Sequence, residues 1–380
     1  MAHYDAIVIG TGGVGSAALF HLARRGVRAL GLDRFPPGHD RGSSHGASRI
    51  IRQAYFEHAD YVPLLLRAYE LWAELSQRQG RPLYHETGLL QIGPAQGEVV
   101  PGVLASAKQH QLAIEDLTAR EVSARWPGFR ALEGYRAAFE RRAGYLEVEA
   151  CVLAHLDQAR KLGAELRTDG VVRHWRSEGA SVVVETDHGA FSAGALIVTA
   201  GAWAGRLLGD LGLRLEVRRK PLFWFEALET AYDPARGCPC FLFEMPTGIF
   251  YGMPQINADG VKIAEHTGGA VVTDPLEVNR ELEPAERRRV EEFAAACMPQ
   301  VSHHMTRHAV CMYTMSPDAH FIVDRHPALP QVAFAAGLSG HGFKFTGVLG
   351  EALVDLALDG ATSLPIGFLA ASRPALQRGA

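Results

Sequence analysis

The sequence predicts an α/β fold of two interleaved domains, one built on a doubly wound parallel sheet and one on a mixed sheet. The first supporting observation is N-terminal. HYDAIVI at residues 3–9 has the pattern of a buried strand, and GTGGVG follows it directly. A helical pattern at 16–25 and a second strand pattern at 28–32 come next, and Asp33 closes the unit. Strand, glycine turn, helix and a later acidic residue form the dinucleotide-binding fingerprint of a Rossmann-like domain, and the fingerprint does not choose between FAD and NAD.

The second observation is a glycine-dense turn near the C-terminus. A strand-like run at 331–336 leads into the turn, and a helical pattern opens at Val348 on its far side. The turn contains three glycines and two basic residues: Gly337, Gly340, Gly342, His341 and Lys344. Glycines let a backbone approach a ligand closely, and the amides of a first helical turn favour negative charge. The segment is therefore either a cradle for an anionic group or a reduced flavin ring, or an ordinary strand–turn–helix corner.

The third observation is the order of the patterns between the two ends. Residues 148–208 return to a doubly wound pattern of a helix followed by strands, the last of which is ALIVTA. Residues 215–310 alternate in the manner of strands, at 221–226, 241–245, 249–253 and 261–266. The expected division is a discontinuous dinucleotide-binding domain over 1–80, 145–214 and 312–375, and a substrate domain over 81–144 and 215–311.

Composition excludes several classes of protein. A chain of 380 residues with 47% hydrophobic and 21% charged residues is ordinary for a globular protein. Its net charge of −4 and its lack of a Lys/Arg-rich run give no field for a nucleic acid. The first strand pattern begins too early for a signal peptide, and no apolar run reaches the roughly 18 residues of a membrane span. We therefore expect a cytoplasmic protein with neither a nucleic acid nor a membrane as partner.

The cysteines and histidines give no pattern of a metal site. Five cysteines, an odd number, argue against a disulfide framework. Cys151 and Cys297 lie in helical patterns and are interpreted as packed thiols. The C-P-C run at 238–240 has no second pair, and we interpret it as a loop or strand feature. The group at 303–308 contains three histidines without a nearby carboxylate in ligand spacing, so we expect surface histidines and no metal.

Lysine is unusually scarce. Of the 38 lysine and arginine residues only five are lysines, which either a GC-rich genome or thermal adaptation would explain. Hyperthermophile proteins tend to gain lysine, so the first explanation is simpler. Lys262 and Lys344 both fall in motif segments, where a compact ammonium on a flexible stem does what a planar guanidinium cannot.

Taken together, these segments resemble the monomeric sarcosine oxidase family of flavoprotein amine oxidases, which includes N-methyltryptophan oxidase. The resemblance starts at DAIVIGTGGVGSA and continues through LDRFPPGHDRGSSHGASRIIRQAYFEHADYVPL, LIVTAGAWA, VKIAEHTGG and CMYTMSPDAHFIVD, and it closes with GLSGHGFKFTGVLGEAL and SRPAL. It implies a monomeric two-domain flavoprotein with a Rossmann-like FAD-binding domain and an interleaved mixed-sheet substrate domain. It also implies that FAD is covalently attached, through the sulfur of Cys311 and the flavin 8α-methyl carbon.

The fingerprint and the resemblance together identify the residues expected to bind the cofactor, which are Gly10, Gly12, Gly15, Asp33, Cys311, Gly340, His341, Gly342 and Lys344. Arg52 and Lys344 match the positions that hold the substrate carboxylate, and Tyr313 is a further substrate-binding residue. Taken alone, the IIRQAYFEH segment favours a surface salt bridge of Arg52 at a helix start, and the match reverses that interpretation.

The resemblance also implies a set of catalytic residues. Loss of a hydride from a carbon next to nitrogen requires the neutral amine, and His266, Tyr251 and the turn at Gly340 are candidates to lie near that nitrogen. Plain packing is the alternative for the two side chains. Lys262 matches a lysine near flavin N5 that stabilises the negative charge developing on O2. Arg49 and His45 match positions beside the flavin ring.

The expected reaction is FAD-dependent oxidation of a secondary amino acid, with sarcosine favoured and O2 as acceptor, giving glycine, formaldehyde and hydrogen peroxide. A larger or cyclic amine, such as N-methyltryptophan, pipecolate or proline, is the alternative within the family. A flavin dehydrogenase with an acceptor other than oxygen is an alternative of another class, and a non-catalytic dinucleotide-binding scaffold is a third. The small amino-acid substrate and O2 are the only partners expected.

Overall fold

The computed structural model describes residues 2–168 and 170–377, and it confirms the predicted α/β fold. The helices are α1 (Gly13–Arg24), α2 (Tyr61–Gln79), α3 (Val99–His110), α4 (Ala119–Arg125), α5 (Val148–Lys161), α6 (Ala204–Leu207), α7 (Pro284–Cys297), α8 (Thr346–Leu358) and α9 (Pro374–Gln377). The strands are β1 (Ala2–Ile9), β2 (Ala29–Leu32), β3 (Ser48–Ile51), β4 (Tyr84–His85), β5 (Leu89–Pro94), β6 (Glu115–Thr118), β7 (Tyr135–Glu140), β8 (Gly144–Glu147), β9 (Glu165–Arg167), β10 (Val172–Glu178), β11 (Ser181–Thr186), β12 (Gly189–Val198), β13 (Glu216–Ala227), β14 (Cys240–Met245), β15 (Gly248–Met253), β16 (Val261–Glu265), β17 (Val301–Met315), β18 (Ile322–His326) and β19 (Leu329–Ala336).

The first sheet contains the N-terminal strand. Its main path runs β10-β11-β12-β1-β2-β9, and β19 pairs with both β12 and β18. Strand β1 pairs in parallel with β12 and β2, so all three strands end at one edge of the sheet. The second half of β1 is fully buried, as expected of a central parallel strand covered on both faces. Helices α1, α2, α5 and α8 share one hydrophobic core against this sheet.

The second sheet runs β17-β13-β16-β15-β14-β5-β7-β6. Its core is rich in phenylalanine, and the rings of Phe250 and Phe293 stack with centroids 4.6 Å apart. The stretch 81–144 supplies β5, β6 and β7 to this sheet. Those strands are only four to six residues long, so their alternation is short and the sequence showed it as a polar, mixed region.

A third sheet, β3-β8-β4, carries the segment that contains Arg49. It was not predicted, because its strands have only two to four residues. Helix α1 begins at Gly13, three residues before the predicted start, because glycines in its first turn weaken the helical signal. Strand β12 begins at Gly189, before the predicted ALIVTA core.

The remaining predictions concern cysteines, metals and membranes. All five cysteines are free and buried, with Cys151 in α5 and Cys297 at the end of α7, as predicted. Within residues 2–168 and 170–377, no cluster of His, Cys, Asp and Glu has the geometry to hold a metal ion. Over the same residues, no helix is both long enough and apolar enough to span a membrane.

Candidate active site

A cavity of about 450 Å³ opens at the edge where the parallel strands end. Its walls come from the turns after β1, β2, β12 and β19 and from the first residue of α8. Ligands of open α/β sheets bind outside the carboxyl ends of the strands, where such turns converge. The predicted cofactor-binding residues on its wall are Gly10, Gly12, Asp33, Gly340 and Gly342.

Two glycines of the fingerprint, Gly10 and Gly15, lie where the neighbouring backbone leaves no space for a side chain. Gly10 has a φ of +85°, and a Cβ there would lie 2.6 Å from the carbonyl oxygen of Thr199. Gly15 does not line the cavity. A Cβ at Gly15 would lie 1.8 Å from the carbonyl oxygen of Gly10, so the absence of a side chain lets α1 approach the end of β1. This packing places the N-terminal end of α1 at the cavity wall, where its amides favour an anion.

The polar groups of the large cavity fit a bound dinucleotide. The carboxylate of Asp33 accepts hydrogen bonds from the amides of Thr11 at 2.7 Å and Phe35 at 3.1 Å, which fixes it at the wall. Within the described residues, three buried polar atoms on the wall lack a hydrogen-bond partner: Thr314 Oγ1, Thr346 Oγ1 and Trp203 Nε1. Buried polar groups are normally satisfied, and FAD carries phosphate, ribose and ring atoms that would satisfy them.

A second cavity, of about 60 Å³, lies against the first. The two share four wall residues: Arg49, Tyr313, Gly340 and Phe343. The small cavity is also lined by five predicted site residues, Arg52, Tyr251, His266, His341 and Lys344, and by Ile50, Phe56, Glu57 and Leu242. Its wall is tight at Gly340, where a Cβ would lie 2.2 Å from the ring of Tyr313. His341 and Lys344, which were expected to bind the cofactor, line this smaller cavity and not the larger one.

Arg52 lies in the loop after β3 and not at a helix start, and its side chain is buried. Its Nη2 donates to the carboxylate of Glu57 at 2.5 Å, and its guanidinium lies 4.2 Å from the ring centroid of Tyr55. Burial would raise the pKa of Glu57, but Arg52 outweighs it and lowers that pKa to about 2. The Nε of Arg52 has no partner within the described residues. Sequence reasoning missed Glu57, although it lies only five residues beyond Arg52.

A buried carboxylate holds the backbone that follows Arg52. Glu140, at the end of β7, accepts hydrogen bonds from the amides of Gln53 at 2.7 Å and Ala54 at 3.0 Å. Burial raises the pKa of Glu140 to about 7, although the two amides oppose the rise. The contact ties the Arg52 loop to the second sheet across 87 residues of sequence, so no local pattern could have indicated it.

Lys344 contributes a buried cation to the small cavity. It donates to the carbonyl oxygen of His341 at 2.7 Å and to the hydroxyl of Tyr55 at 3.3 Å. His341 Nε2 donates to the carbonyl oxygen of Ala319 at 2.9 Å, which leaves Nδ1 to accept from the Tyr55 hydroxyl at 2.6 Å. Burial, and then the charge of Arg52, hold the pKa of Lys344 well below its usual value. Lys344 forms no ion pair with any described residue, although the charge of Glu57 partly opposes the lowering of its pKa.

His266 and two tyrosines form another wall. His266 Nδ1 lies 3.4 Å from the hydroxyl of Tyr313, and the rings of His266 and Tyr251 meet edge to face at 6.3 Å. Burial, followed by the charge of Lys220, lowers the pKa of His266 to about 4. The imidazole is therefore neutral at neutral pH and can act as donor or acceptor.

Cys311 lies behind the shared wall and lines neither cavity. Its Sγ is 3.1 Å from Nη2 of Arg49, which also donates to the carbonyl oxygen of Ser43 at 3.2 Å. Burial would raise the pKa of Cys311, but the charges of Arg49 and His45 outweigh it and lower the pKa to about 6. The thiol is therefore mostly thiolate at neutral pH. Thiolate character is what makes a cysteine nucleophilic.

Lys262 and His45 complete the cluster behind the wall, and neither lines a cavity. The ammonium of Lys262 donates to the carbonyl oxygens of Gly46 at 2.6 Å and Ser48 at 2.9 Å. Burial, and then the charge of Arg49, hold the pKa of Lys262 well below its usual value. Glu149 accepts from the amide of Gly46 at 2.7 Å on the same turn. Sequence reasoning did not identify Glu149, because that contact spans 103 residues.

Comparisons with known proteins show which family the chain resembles. The family model of FAD dependent oxidoreductases matches residues 5–356. The monomeric sarcosine oxidase of an Arthrobacter species is 40% identical over 380 residues, which cover 99% of this chain and 97% of that protein. The N-methyl-L-tryptophan oxidase of Salmonella dublin is 36% identical over 365 residues, covering 96% and 97%. The open form of a NikD variant, an unusual amino acid oxidase essential for nikkomycin biosynthesis, has a TM-score of 0.87 and 25% identity, with 97% of each chain covered.

Proposed function

The chain belongs to the FAD-dependent oxidoreductase family and, within it, to the amine oxidases related to monomeric sarcosine oxidase and N-methyl-L-tryptophan oxidase, and from that premise we propose that it is a sarcosine oxidase. Sarcosine, O2 and water would give glycine, formaldehyde and hydrogen peroxide. Bound FAD supplies the acceptor for the substrate hydride and passes the two electrons to O2. The protein residues must hold the carboxylate, select the neutral amine and exclude water.

The observation that carries the proposal is the small cavity, of about 60 Å³, with Arg52 and Lys344 on its wall. A water molecule needs roughly 10–15 Å³ of such volume, so the cavity holds about four to six water-sized groups. That size suits a small substrate such as sarcosine. The cations suit a substrate that carries a carboxylate in a site shielded from water.

The carboxylate of the substrate would bind between the two cations. Lys344 carries no carboxylate partner within the described residues, and Nε of Arg52 is unpartnered there. Glu57 occupies Nη2 of Arg52, which leaves the Nε N–H of the guanidinium for the substrate. A guanidinium N–H and an ammonium together fix both position and orientation of a carboxylate.

The amine nitrogen would lie toward His266 and Tyr251, on another wall of the cavity. Hydride loss needs the neutral amine, and the positive charges of Arg49, Arg52 and Lys344 disfavour an ammonium nearby. Because the pKa of His266 is lowered to about 4, chiefly by burial, its imidazole adds no further charge at neutral pH. It remains able to hydrogen-bond the amine.

The proposal extends to the cofactor and to oxygen. Cys311 would hold FAD covalently, supported by its thiolate character beside Arg49. Lys262 would stabilise the negative charge that develops on O2, supported by its burial and by its lack of an ion-pair partner among the described residues. Both groups lie behind Arg49, which lines both cavities.

The domain division and the oligomeric state belong to the same proposal. Residues 1–80, 145–214 and 312–375 would form the FAD-binding domain, and 81–144 with 215–311 the substrate domain. The pairing of β5–β7 with β13–β17 in one sheet supports the second unit. A monomer is proposed from the similarity to the Arthrobacter enzyme. Size-exclusion chromatography with light scattering tests it, and a dimer mass would contradict it.

The visible absorbance of the purified protein, recorded anaerobically before and after sarcosine is added, tests the function. The expected result is a flavin spectrum that bleaches with sarcosine and returns when air is admitted. A flavin spectrum that bleaches only with N-methyltryptophan, pipecolate or proline would contradict the substrate. Bleaching that air fails to reverse, but a quinone does, would contradict oxygen as acceptor.

A further inference from the structure

Lys220 on β13 is a buried cation that the catalytic assignments above do not use. Its side chain is 3% exposed, and it forms no ion pair with any residue that the structure describes. Its ammonium donates to three consecutive carbonyl oxygens, those of His266 at 2.7 Å, Thr267 at 2.8 Å and Gly268 at 2.6 Å. An ammonium has three protons, so these contacts satisfy the group completely.

The turn after β16 is shaped around this ammonium. Gly268 and Gly269 have φ values of +65° and +98°, a conformation that other residues rarely adopt. A Cβ on Gly269 would lie 2.4 Å from the carbonyl oxygen of Arg219 and 3.3 Å from Cε of Lys220. The close approach at Gly269 and the three convergent carbonyls indicate a turn whose conformation depends on the cation at its centre.

Lys220 also contacts the site. His266, whose carbonyl it holds, lines the small cavity, and the ammonium lies 4.9 Å from the ring centroid of Tyr313. Tyr313 lines both cavities and lies 3.4 Å from Nδ1 of His266. Strand pairing places Lys220 directly opposite Cys311. The ammonium of Lys220 therefore holds the turn that carries His266, and it also packs against the ring of Tyr313.

We propose that Lys220 is a positioning residue that fixes His266 and Tyr313 against the amine end of the substrate, an assignment that rests on the proposed amine oxidase function. The carboxylate end is held by other groups, Arg52 and Lys344, so loss of Lys220 changes the rate of substrate oxidation and leaves carboxylate binding intact. The charge of Lys220 also acts on His266 directly. After burial, it is the largest cause that lowers the pKa of His266, so it helps to keep the imidazole neutral.

The test compares the holoenzyme with Lys220→Met, Lys220→Arg and, as a matched control, Lys108→Met, which removes an exposed lysine on α3. Stopped-flow anaerobic reduction by sarcosine gives a limiting rate, and titration with acetate, followed by the flavin spectrum, gives carboxylate affinity. The expected limiting rate of Lys220→Met is about 10- to 100-fold lower, as for a misplaced reacting group, with acetate affinity changed less than about twofold. Lys108→Met is expected to match the unmodified enzyme.

Lys220→Arg separates positioning from charge and remains informative if Lys220→Met does not fold. A planar guanidinium cannot direct one nitrogen at three converging carbonyls, so this variant is also expected to lose limiting rate while keeping acetate affinity. An unchanged limiting rate in Lys220→Arg, or parallel loss of rate, acetate affinity and flavin content, would overturn the proposal. If the unmodified enzyme binds flavin but no amine reduces it, the proposed function itself is wrong, and that result is distinct from failure of the Lys220 variants.

Discussion

Arg49→Met tests the electrostatic origin of the Cys311 thiolate. The substitution removes a guanidinium that lies 3.1 Å from Sγ and keeps an unbranched apolar side chain in place of the arginine stem. In the native structure, burial opposes ionisation of Cys311, and Arg49 with His45 overcomes it, bringing the pKa from a usual 9.0 to about 6. Without Arg49, the charge of His45 is left to oppose burial, and the pKa of Cys311 is expected to rise toward its usual value of 9.0.

Two opposing effects determine how much the rate of flavin attachment changes. At pH 7 a thiol with a pKa of about 6 is roughly nine-tenths thiolate, whereas one with a pKa of about 9 is roughly 1% thiolate. A thiolate of higher pKa is, however, more nucleophilic, by roughly 20-fold over this range. The net loss of attachment rate at pH 7 is therefore only about fourfold. The pH profile is the sensitive quantity, because its midpoint moves from about 6 toward 9.0.

The assay mixes FAD with flavin-free protein, quenches samples in acid over time and measures the flavin that stays with the precipitated chain. Arg49→Lys is expected to restore part of the native profile, because it returns a cation, and Arg236→Met, on an exposed arginine, is the control. An Arg49→Met profile with its midpoint still near 6 would refute the electrostatic reasoning. Acid-stable flavin on a Cys311→Ala variant would refute the attachment site.

Three further perturbations test other parts of the site. Lys262→Met is expected to slow the reaction of the reduced enzyme with O2 far more than reduction by sarcosine, and equal slowing of both in stopped-flow traces would contradict its role. The folded-state pKa of Glu140 is raised to about 7, so its contribution to stability is complete below its usual pKa and is lost as pH rises through 7. Glu140→Gln is expected to abolish that pH dependence of the urea midpoint and to lower the free energy of unfolding by about 1–3 kcal/mol at pH 5. It is also expected to weaken sarcosine binding. A pH profile of the urea midpoint that matches the unmodified protein would contradict this role of Glu140. Gly10→Ala, with its Cβ 2.6 Å from Thr199, is expected to yield protein without flavin, whereas Gly26→Ala, at a φ of +75° in open space, shares the backbone strain and is expected to keep flavin.

The fold was predictable where the sequence signal is local. Strand β1, the glycine turn and α1 follow one another within 24 residues, and each has its own pattern. Strand β19, the turn at Gly340 and α8 form a second local unit of the same kind. The short strands between residues 84 and 147 carry little pattern of their own, because their partners, and not their sequence, decide which face is buried.

The sequence indicated the cations of the candidate site. It did not indicate the buried carboxylates that hold the backbone around them. Arg49, Arg52 and Lys344 came from motif segments, and the structure places all three on the small cavity. Glu140 and Glu149 were missed, because each accepts backbone amides from a segment 86–103 residues away. A buried carboxylate of this kind looks, in sequence, like any other acidic residue at the end of a strand or the start of a helix.

Three of the five lysines share one kind of environment. Lys220, Lys262 and Lys344 are buried, and each ammonium donates to backbone carbonyls. A carboxylate partner would cancel the charge, whereas carbonyl dipoles stabilise the ammonium and leave its net charge intact. A point-like ammonium suits convergent carbonyls, and a planar guanidinium suits the carboxylates that the surface arginines contact.

This arrangement couples anion binding to protonation. Burial, and then the charge of Arg52, hold the pKa of Lys344 well below its usual value, and a carboxylate bound beside the ammonium raises that pKa again. Binding of acetate to the oxidised enzyme in weakly buffered solution, followed over a series of pH values, is therefore expected to be accompanied by proton uptake of at most about one proton per chain. Lys344→Met is expected to abolish the uptake, and Lys108→Met is expected to retain it. Acetate binding with no proton uptake at any pH in the series would mean that the carbonyl oxygen of His341 and the hydroxyl of Tyr55 keep Lys344 charged without the anion, and it would contradict this coupling.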